Sequence, residues 1–322
     1  MSTPLLPPEL LRRLEQFQLL AARRTKSTSK GERRSKARGL SVEFADHRNY
    51  VLGDDFRYLD WNLFGRLDRL FLKLYEEERE LPVRIFLDSS ESMNFGEVLA
   101  HGHPSKFDFA RRVAAAIGYV ALCGFDRVSV VPFPTVGNRK AIELVAEPKP
   151  SADPSHESAA AGALRSVRGK KSTMQYFSLL SSLTAGGTAD LNGSLKRGAM
   201  EARQTGAAIV LSDFLDPAGY EDGLKALVSR GFEVNAIQIL APEEVAPTTF
   251  GDLRLVDSET GSQQEVTFGK FRLKHYQATV DAFRAELAEF CSKRGVHFFT
   301  CTSDTSLEGL LLRQLREAEV WG

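Results

Sequence analysis

Residues 84–93 read RIFLDSSESM, and the fold turns on how that stretch is read. Ile85, Phe86 and Leu87 form a short apolar run of the kind buried in a strand. The run stops at Asp88, and Ser90 and Ser92 follow at a spacing of two. A carboxylate and two hydroxyls thus gather at the carboxyl end of a strand. These are hard oxygen donors. Mg²⁺ takes oxygen ligands, keeps several waters and is held by few carboxylates. The pattern therefore predicts a metal site with open positions, one of which a partner's carboxylate could fill.

Outward from this point, strand-like and helix-like segments alternate. Strands are predicted at 82–88, 127–133, 141–145, 207–212, 232–240 and 296–301, and helices at 106–122, 173–183, 190–204, 219–230, 275–293 and 306–318. Such alternation argues for an α/β fold whose mostly parallel sheet is covered by helices on both faces. Residues 146–172, rich in Pro, Ser, Ala and Gly, read as a loop. Residues 252–268 read as a hairpin turning at Glu259, Thr260 and Gly261. Near the start, Pro8 with Leu10, Leu11, Leu14, Phe17 and Leu20 has the helical period over 8–22 and needs an apolar surface to cover.

In an open parallel sheet, ligands bind beyond the carboxyl ends of the strands, where strand order reverses. Two further loops are expected there. AGGTAD at 185–190 offers the Thr188 hydroxyl after a tight glycine turn, and IVLSD at 209–213 ends another buried strand on Asp213. Asp190 and Asp216 lie close by as alternative carboxylates, and Glu91 adds a charge inside the first motif.

Bulk properties narrow the function. The chain has 322 residues, 43% hydrophobic and 26% charged, with a formal net charge of zero. These values fit an ordinary globular protein and give no overall attraction to nucleic acid. Residues 23–38 are dominated by Lys and Arg, with Glu32 alone against them, and read as a solvated linker. No apolar run approaches the ~18 residues of a membrane span, and no secretory signal is seen, so a cytoplasmic protein is expected. Cys123, Cys291 and Cys301 are widely spaced within apolar stretches and read as buried, reduced thiols. No phosphate-binding Gly-x-x-x-x-Gly-Lys-Ser/Thr loop and no Gly-x-Ser-x-Gly elbow is present, and the six histidines lack metal-ligand spacing. Ser90 stands where a phosphoryl-transferring site would place a second carboxylate, and a serine there cannot act as acid or base. The chain is read as a binding module and not an enzyme, with a Mg²⁺-dependent hydrolase as the alternative and a scaffold with a vestigial site as a third reading.

The set Asp88, Ser90, Ser92, Thr188 and Asp213 resembles the metal-ion-dependent adhesion site (MIDAS) of von Willebrand factor A domains over roughly residues 82–302. That resemblance implies a von Willebrand factor A-like, Rossmann-like fold. It also implies Ser90, Ser92 and Thr188 as direct ligands of Mg²⁺ (or Mn²⁺ or Ca²⁺), and Asp88 and Asp213 acting through water. Residues 39–80, GLSVEFADHRNYVLGDDFRYLDWNLFGRLDRLFLKLYEEERE, narrow it further. Gly53-Asp54-Asp55, Arg57, Asp60-Trp61 and Glu76–Arg79, followed by Asp88-x-Ser-x-Ser, resemble the bacterial family called domain of unknown function 58. The resemblance implies a partner, a MoxR-type AAA+ ATPase, and a client protein offering an acidic side chain. The organisation expected is an N-terminal helix and basic linker (1–38), a family-specific segment (39–81) and the A-like domain (82–322). Within 39–81, Asp54, Asp55, Arg57, Asp60 and Arg66 are expected to form a local polar network. Trp61, Leu63, Phe64, Leu67, Leu70 and Phe71 are expected in a core.

Overall fold

The computed structural model describes residues 5–17, 42–51, 54, 56–77, 81–96, 103–134, 166–247, 251–256 and 261–311. The chain divides into two compact units, one of Met1–Arg24 with Leu81–Gly322 and one of Thr25–Glu80. The predicted strand 141–145, the basic stretch 23–38, Gly53, Asp55 and the hairpin tip at Glu259 and Thr260 lie outside the described residues.

The larger unit is mixed α/β. Its six-stranded sheet has the order β10 (His297–Thr302), β7 (Glu233–Leu240), β6 (Ala207–Ser212), β3 (Pro82–Asp88), β4 (Arg127–Phe133), β5 (Val167–Arg168). All neighbours pair in parallel except β5, which runs antiparallel to β4. The short β5 and a tight turn at Lys170–Ser172 correct the expectation of unbroken loop to residue 172. Two residues of extended chain carry too little pattern to read as a strand.

Alternation along each strand sorts side chains to two faces. Val83, Ile85 and Leu87 of β3, Ile209 and Leu211 of β6 and Ile237 and Ile239 of β7 share one buried cluster. They meet helices α1 (Pro8–Leu14), α3 (Lys106–Cys123) and α4 (Thr173–Ser182) through Leu10, Leu14, Ile117, Tyr176 and Leu180. Phe86, Ala208, Val210, Val234 and Ala236 point the other way, into a second cluster. There they meet α5 (Leu191–Glu201), α6 (Glu221–Arg230) and α8 (Lys270–Ser292) through Leu195, Leu224, Leu227 and Leu287. Each such fully buried Leu, Ile or Phe contributes about 1.5–3 kcal/mol, so two full faces account for why this sheet is central.

The N-terminal helix finds its apolar surface within the chain. Leu6, Leu10 and Leu14 are buried against the first cluster, and Glu15 accepts hydrogen bonds from Tyr119 Oη (2.7 Å) and Lys170 Nζ (2.7 Å). Its helical residues are Pro8–Leu14, shorter than the 8–22 expected, with residues 18–22 outside the described set. At the other end of the chain, helix α9 covers Leu307–Gly309 of the predicted 306–318, and 312–318 again lie outside. Cys291 and Cys301 are buried and Cys123 half-buried, all three free. Among the described residues no helix is long and apolar enough to cross a membrane. The hairpin appears as β8 (Gly251–Val256) paired antiparallel with β9 (Gln263–Phe268).

The smaller unit holds a two-stranded antiparallel ribbon, β1 (Val42–Asn49) with β2 (Phe71–Glu77), and α2 (Trp61–Leu67). Asp60 is its polar hub. Its Oδ1 caps α2 by accepting from the Asn62 and Leu63 amides (3.0 and 3.1 Å), and its Oδ2 bonds His47 Nε2 at 2.9 Å. Asp54 Oδ2 reaches back to accept from the Val51 amide at 2.9 Å. The expected core does not form around Trp61, which is 63% exposed; Phe64 and Leu67 are exposed as well. Leu59 and Leu72 are buried instead. A two-turn helix beside a two-stranded ribbon encloses little, and this one buries none of its residues.

Candidate metal centre

The site lies where sheet order reverses. From β3 the chain passes through α3 to β4 on one side, then returns to β6 on the other. The carboxyl ends of β3 and β6 flank the crevice that open α/β sheets use for ligands. Asp88 is the last residue of β3, and Asp213 follows the last residue of β6.

Asp88 is 1% exposed and fully engaged. Its Oδ1 accepts from Ser90 N (3.0 Å) and Ser90 Oγ (2.7 Å), and its Oδ2 accepts from Ser212 Oγ (2.5 Å). Ser90 Oγ then lies 3.0 Å from Ser92 Oγ, and Ser92 Oγ donates to Asp213 Oδ2 at 3.2 Å. A continuous chain of oxygens therefore runs from one strand end to the other. Asp213 is fixed by the Leu215 amide on Oδ1 (3.0 Å), while Gln238 Nε2 of β7 holds its backbone carbonyl (3.0 Å).

Burial pushes the Asp88 carboxyl up to about 7, the Asp213 charge pushes the same way, and the hydrogen bonds from Ser212 and Ser90 resist. Two carboxylates in one dry site repel, and a cation between them relieves the repulsion.

Four of the five predicted residues, Asp88, Ser90, Ser92 and Asp213, thus follow one another within hydrogen-bond distance. Thr188 is placed differently. Its loop is stitched to the first motif by two backbone bonds, Gly186 N to Ser89 O (2.7 Å) and Glu91 N to Gly187 O (2.9 Å). Gly187 makes this possible: its φ is +87°, and an added Cβ would stand 3.2 Å from Pro134 Cγ. Thr188 itself is exposed, and no described hydrogen bond ties its hydroxyl to the other four. The alternative carboxylates serve the backbone. Asp190 caps α5 at the Gly193 amide (3.0 Å) and pairs with Arg197, and Asp216 accepts from the Leu191 and Ala218 amides (2.8 Å each). Glu91 accepts from Asn94 Nδ2 at 3.2 Å.

Sequence reasoning missed Lys106. Its side chain is 0% exposed, and its ammonium donates to Asp213 Oδ2 (2.8 Å) and to Glu244 Oε1 (2.6 Å). Burial disfavours this charge, yet the Asp213 and Glu244 carboxylates outweigh it and hold the pKa above the usual lysine value. Burial raises Glu244 in turn, against the pull of Lys106. Two signals could have found the pair. Lys106 opens α3, where a positive charge runs against the helix dipole, and Glu244 lies on the short helix α7 (Pro242–Val245) just after β7, as another strand-end carboxylate.

Among the described residues no three His, Cys, Asp or Glu side chains converge as metal ligands, so a cation here would depend on hydroxyls. The donor set suits one. Its oxygens are the hard donors that Mg²⁺ takes, and Ser90 Oγ, Ser92 Oγ and Asp213 Oδ2 follow one another at 3.0 and 3.2 Å.

Residues 46–286 match the model of the protein family of unknown function DUF58. The chain belongs to the DUF58 family. The match takes in the whole site, from Asp88 through Lys106, Thr188 and Asp213 to Glu244. This DUF58 chain is 25% identical over 298 residues to the uncharacterized protein Rv1480 of Mycobacterium tuberculosis, covering 92% of this chain and 86% of that one. It is 33% identical over 102 residues to the uncharacterized protein MAV169 of Mycobacterium avium, covering 32% of this chain and 60% of that one. Among solved structures, the conserved hypothetical protein BatB from Bacteroides thetaiotaomicron aligns over 74% of this chain and 97% of its own, at 15% identity and a TM-score of 0.39. An aerotolerance-related membrane protein from Bacteroides fragilis aligns over 74% and 98%, at 14% identity and the same TM-score of 0.39.

Proposed function

We propose that this DUF58 protein is a von Willebrand factor A-like interaction module of the MIDAS type. In this reading a divalent cation, Mg²⁺ by preference, sits on the Asp88–Ser90–Ser92–Asp213 oxygens and receives an acidic side chain from a partner. The observation that carries the reading is the unbroken oxygen chain between the ends of β3 and β6, with steps of 2.7, 3.0 and 3.2 Å. The roles follow from the contacts. Asp88 orients Ser90 through both its amide and its hydroxyl. Ser212 ties the second strand end to the first through Asp88, and Gln238 anchors the Asp213 backbone to β7. Thr188, exposed on a loop bonded to the first motif, would join as a third hydroxyl when cation and partner arrive.

Binding is favoured over catalysis by the state of Asp88. Both its oxygens already accept hydrogen bonds, which suits a residue that holds its neighbours better than one that attacks a substrate. Family resemblance supplies the wider setting: a cytoplasmic adaptor between a MoxR-type AAA+ ATPase and a client protein undergoing maturation. The test is a pulldown of the MoxR-type ATPase from the same organism with the purified chain. Capture in Mg²⁺, lost in EDTA and lost in Ser90→Ala/Ser92→Ala, is the expected result. Capture that ignores both chelation and the substitutions overturns the proposed role.

A further inference from the structure

Lys106 occupies a place that a simple cation site would leave to the metal. Its ammonium binds Asp213 Oδ2, the same oxygen that accepts from Ser92 Oγ. A divalent ion held by Ser92 and Asp213 would meet a positive charge 2.8 Å from one of its own ligand atoms. Electrostatic repulsion in so buried a place is large.

The lysine also has somewhere to go. Glu244 Oε1 lies 2.6 Å from the ammonium on a carboxylate that is itself fixed. Its Oε2 accepts from the Ala241 amide (2.7 Å), and the Glu244 backbone carbonyl accepts from Tyr276 Oη of α8 (2.8 Å). If Asp213 is taken over, Lys106 retains a carboxylate partner and is not left as an unpaired buried charge, which would be strongly unfavourable. One acceptor belongs to the site and the other does not. This asymmetry is what a displaceable counter-cation requires.

We propose that Lys106 is the built-in counter-cation of the site, competing with the divalent ion for Asp213 and holding its affinity down. The inference rests on the metal-centre reading and deepens it. Without the metal, Lys106 neutralises Asp213 and ties the end of β6 to Glu244 beyond the end of β7. With metal bound, Lys106 turns to Glu244. A lowered intrinsic affinity makes occupancy depend on the partner's carboxylate, which adds a negative ligand to the same ion. Metal and acidic partner then bind cooperatively, each more weakly alone.

The experiment measures Mn²⁺ binding to the full chain, stripped with EDTA and dialysed, by the loss of the free-ion paramagnetic resonance signal. Wild type is compared with Lys106→Met, Lys106→Gln and Lys106→Arg. Removal of the charge is expected to tighten Mn²⁺ binding at least about tenfold in the Met and Gln variants, while Arg, which keeps the charge, stays near wild type. The Gln variant retains hydrogen-bond donors for the two carboxylates and carries the test if Met does not fold. Wild-type binding with no tightening in either uncharged variant overturns the inference and leaves the metal centre standing. Equal tightening in the Arg variant also overturns it, since packing and not charge would then be responsible. Absence of Mn²⁺ binding in wild type and all variants removes both the inference and the metal centre, and leaves Lys106 as the permanent cation of a metal-free scaffold.

Discussion

Lys106→Met, studied in the presence of a chelator, isolates what the buried ammonium contributes to stability. Methionine keeps most of the stem's volume, so the cavity contribution is small and the loss is one of charge. Asp213 and Glu244 lose their shared cation, and their side chains are 3% and 19% exposed. Removing one partner of a buried ion pair costs about 3–5 kcal/mol, because the remaining charge is left uncompensated. Asp213, nearly dry, falls within that range; Glu244, partly wetted, adds less. Urea denaturation followed by circular dichroism should show a loss of about 3–5 kcal/mol, and thermal scans a drop on the order of 10 °C. The double variant Lys106→Met/Asp213→Asn should recover part of the loss, with non-additivity of about 1 kcal/mol or more. A single variant within about 0.5 kcal/mol of wild type would refute the reasoning, since the pair would then be no better than a surface contact.

Three further outcomes follow from the packing and the charges. Gly198→Ala adds a Cβ that would stand 2.3 Å from Phe86 Cε1, so α5 must shift off β3; the overpacking cost of about 1–3 kcal/mol exceeds the gain of about 1 kcal/mol in helix propensity, and unfolding measurements should show a net loss. Tyr176→Phe deletes a buried hydrogen bond of 2.6 Å to the Ala114 carbonyl, and should cost about 0.5–1.5 kcal/mol by the same assay. The Glu243 hydrogen bond raises the His103 pKa, with burial opposing it. The folded pKa being the higher one, the stabilisation is fully present below the unfolded histidine value near 6.5 and is lost as pH rises through the folded value. The stability difference between wild type and His103→Asn should accordingly shrink above neutral pH, and a difference that grows with pH would contradict the pairing.

The fold was legible where the chain is apolar on both sides of the sheet. Strands β3, β4 and β6 coincide with the segments 82–88, 127–133 and 207–212, because runs such as Ile85–Leu87 and Ala207–Leu211 are buried on both faces and end at polar residues. Helix α8 begins at Lys270, five residues before the expected 275, because its N-cap is Gly269 and no side-chain oxygen marks the start. Helix α5 ends at Glu201, short of the expected 204, where Ala202 turns to extended backbone toward β6. Asp88, Ser90, Ser92 and Asp213 could be found because strand ends at a switch point follow from topology. Lys106 and Glu244 could not be paired in this way, because Lys106 opens a helix and not a strand end, and only the folded sheet brings its ammonium to Glu244 Oε1. Trp61 misled because an aromatic in an apolar stretch reads as core, while this seven-residue helix buries none of its side chains.

The ends of β3 and β6 are proposed to hold one divalent cation. Mn²⁺ titration of the EDTA-stripped wild-type chain against Ser90→Ala/Ser92→Ala, followed by the free-ion resonance signal with an acidic peptide in excess, tests it most directly. Saturable uptake of one ion per wild-type chain, strengthened by the peptide and abolished by the two substitutions, is the expected result. Uptake that survives the loss of both hydroxyls, or a wild-type chain that takes up no ion with or without the peptide, would contradict it.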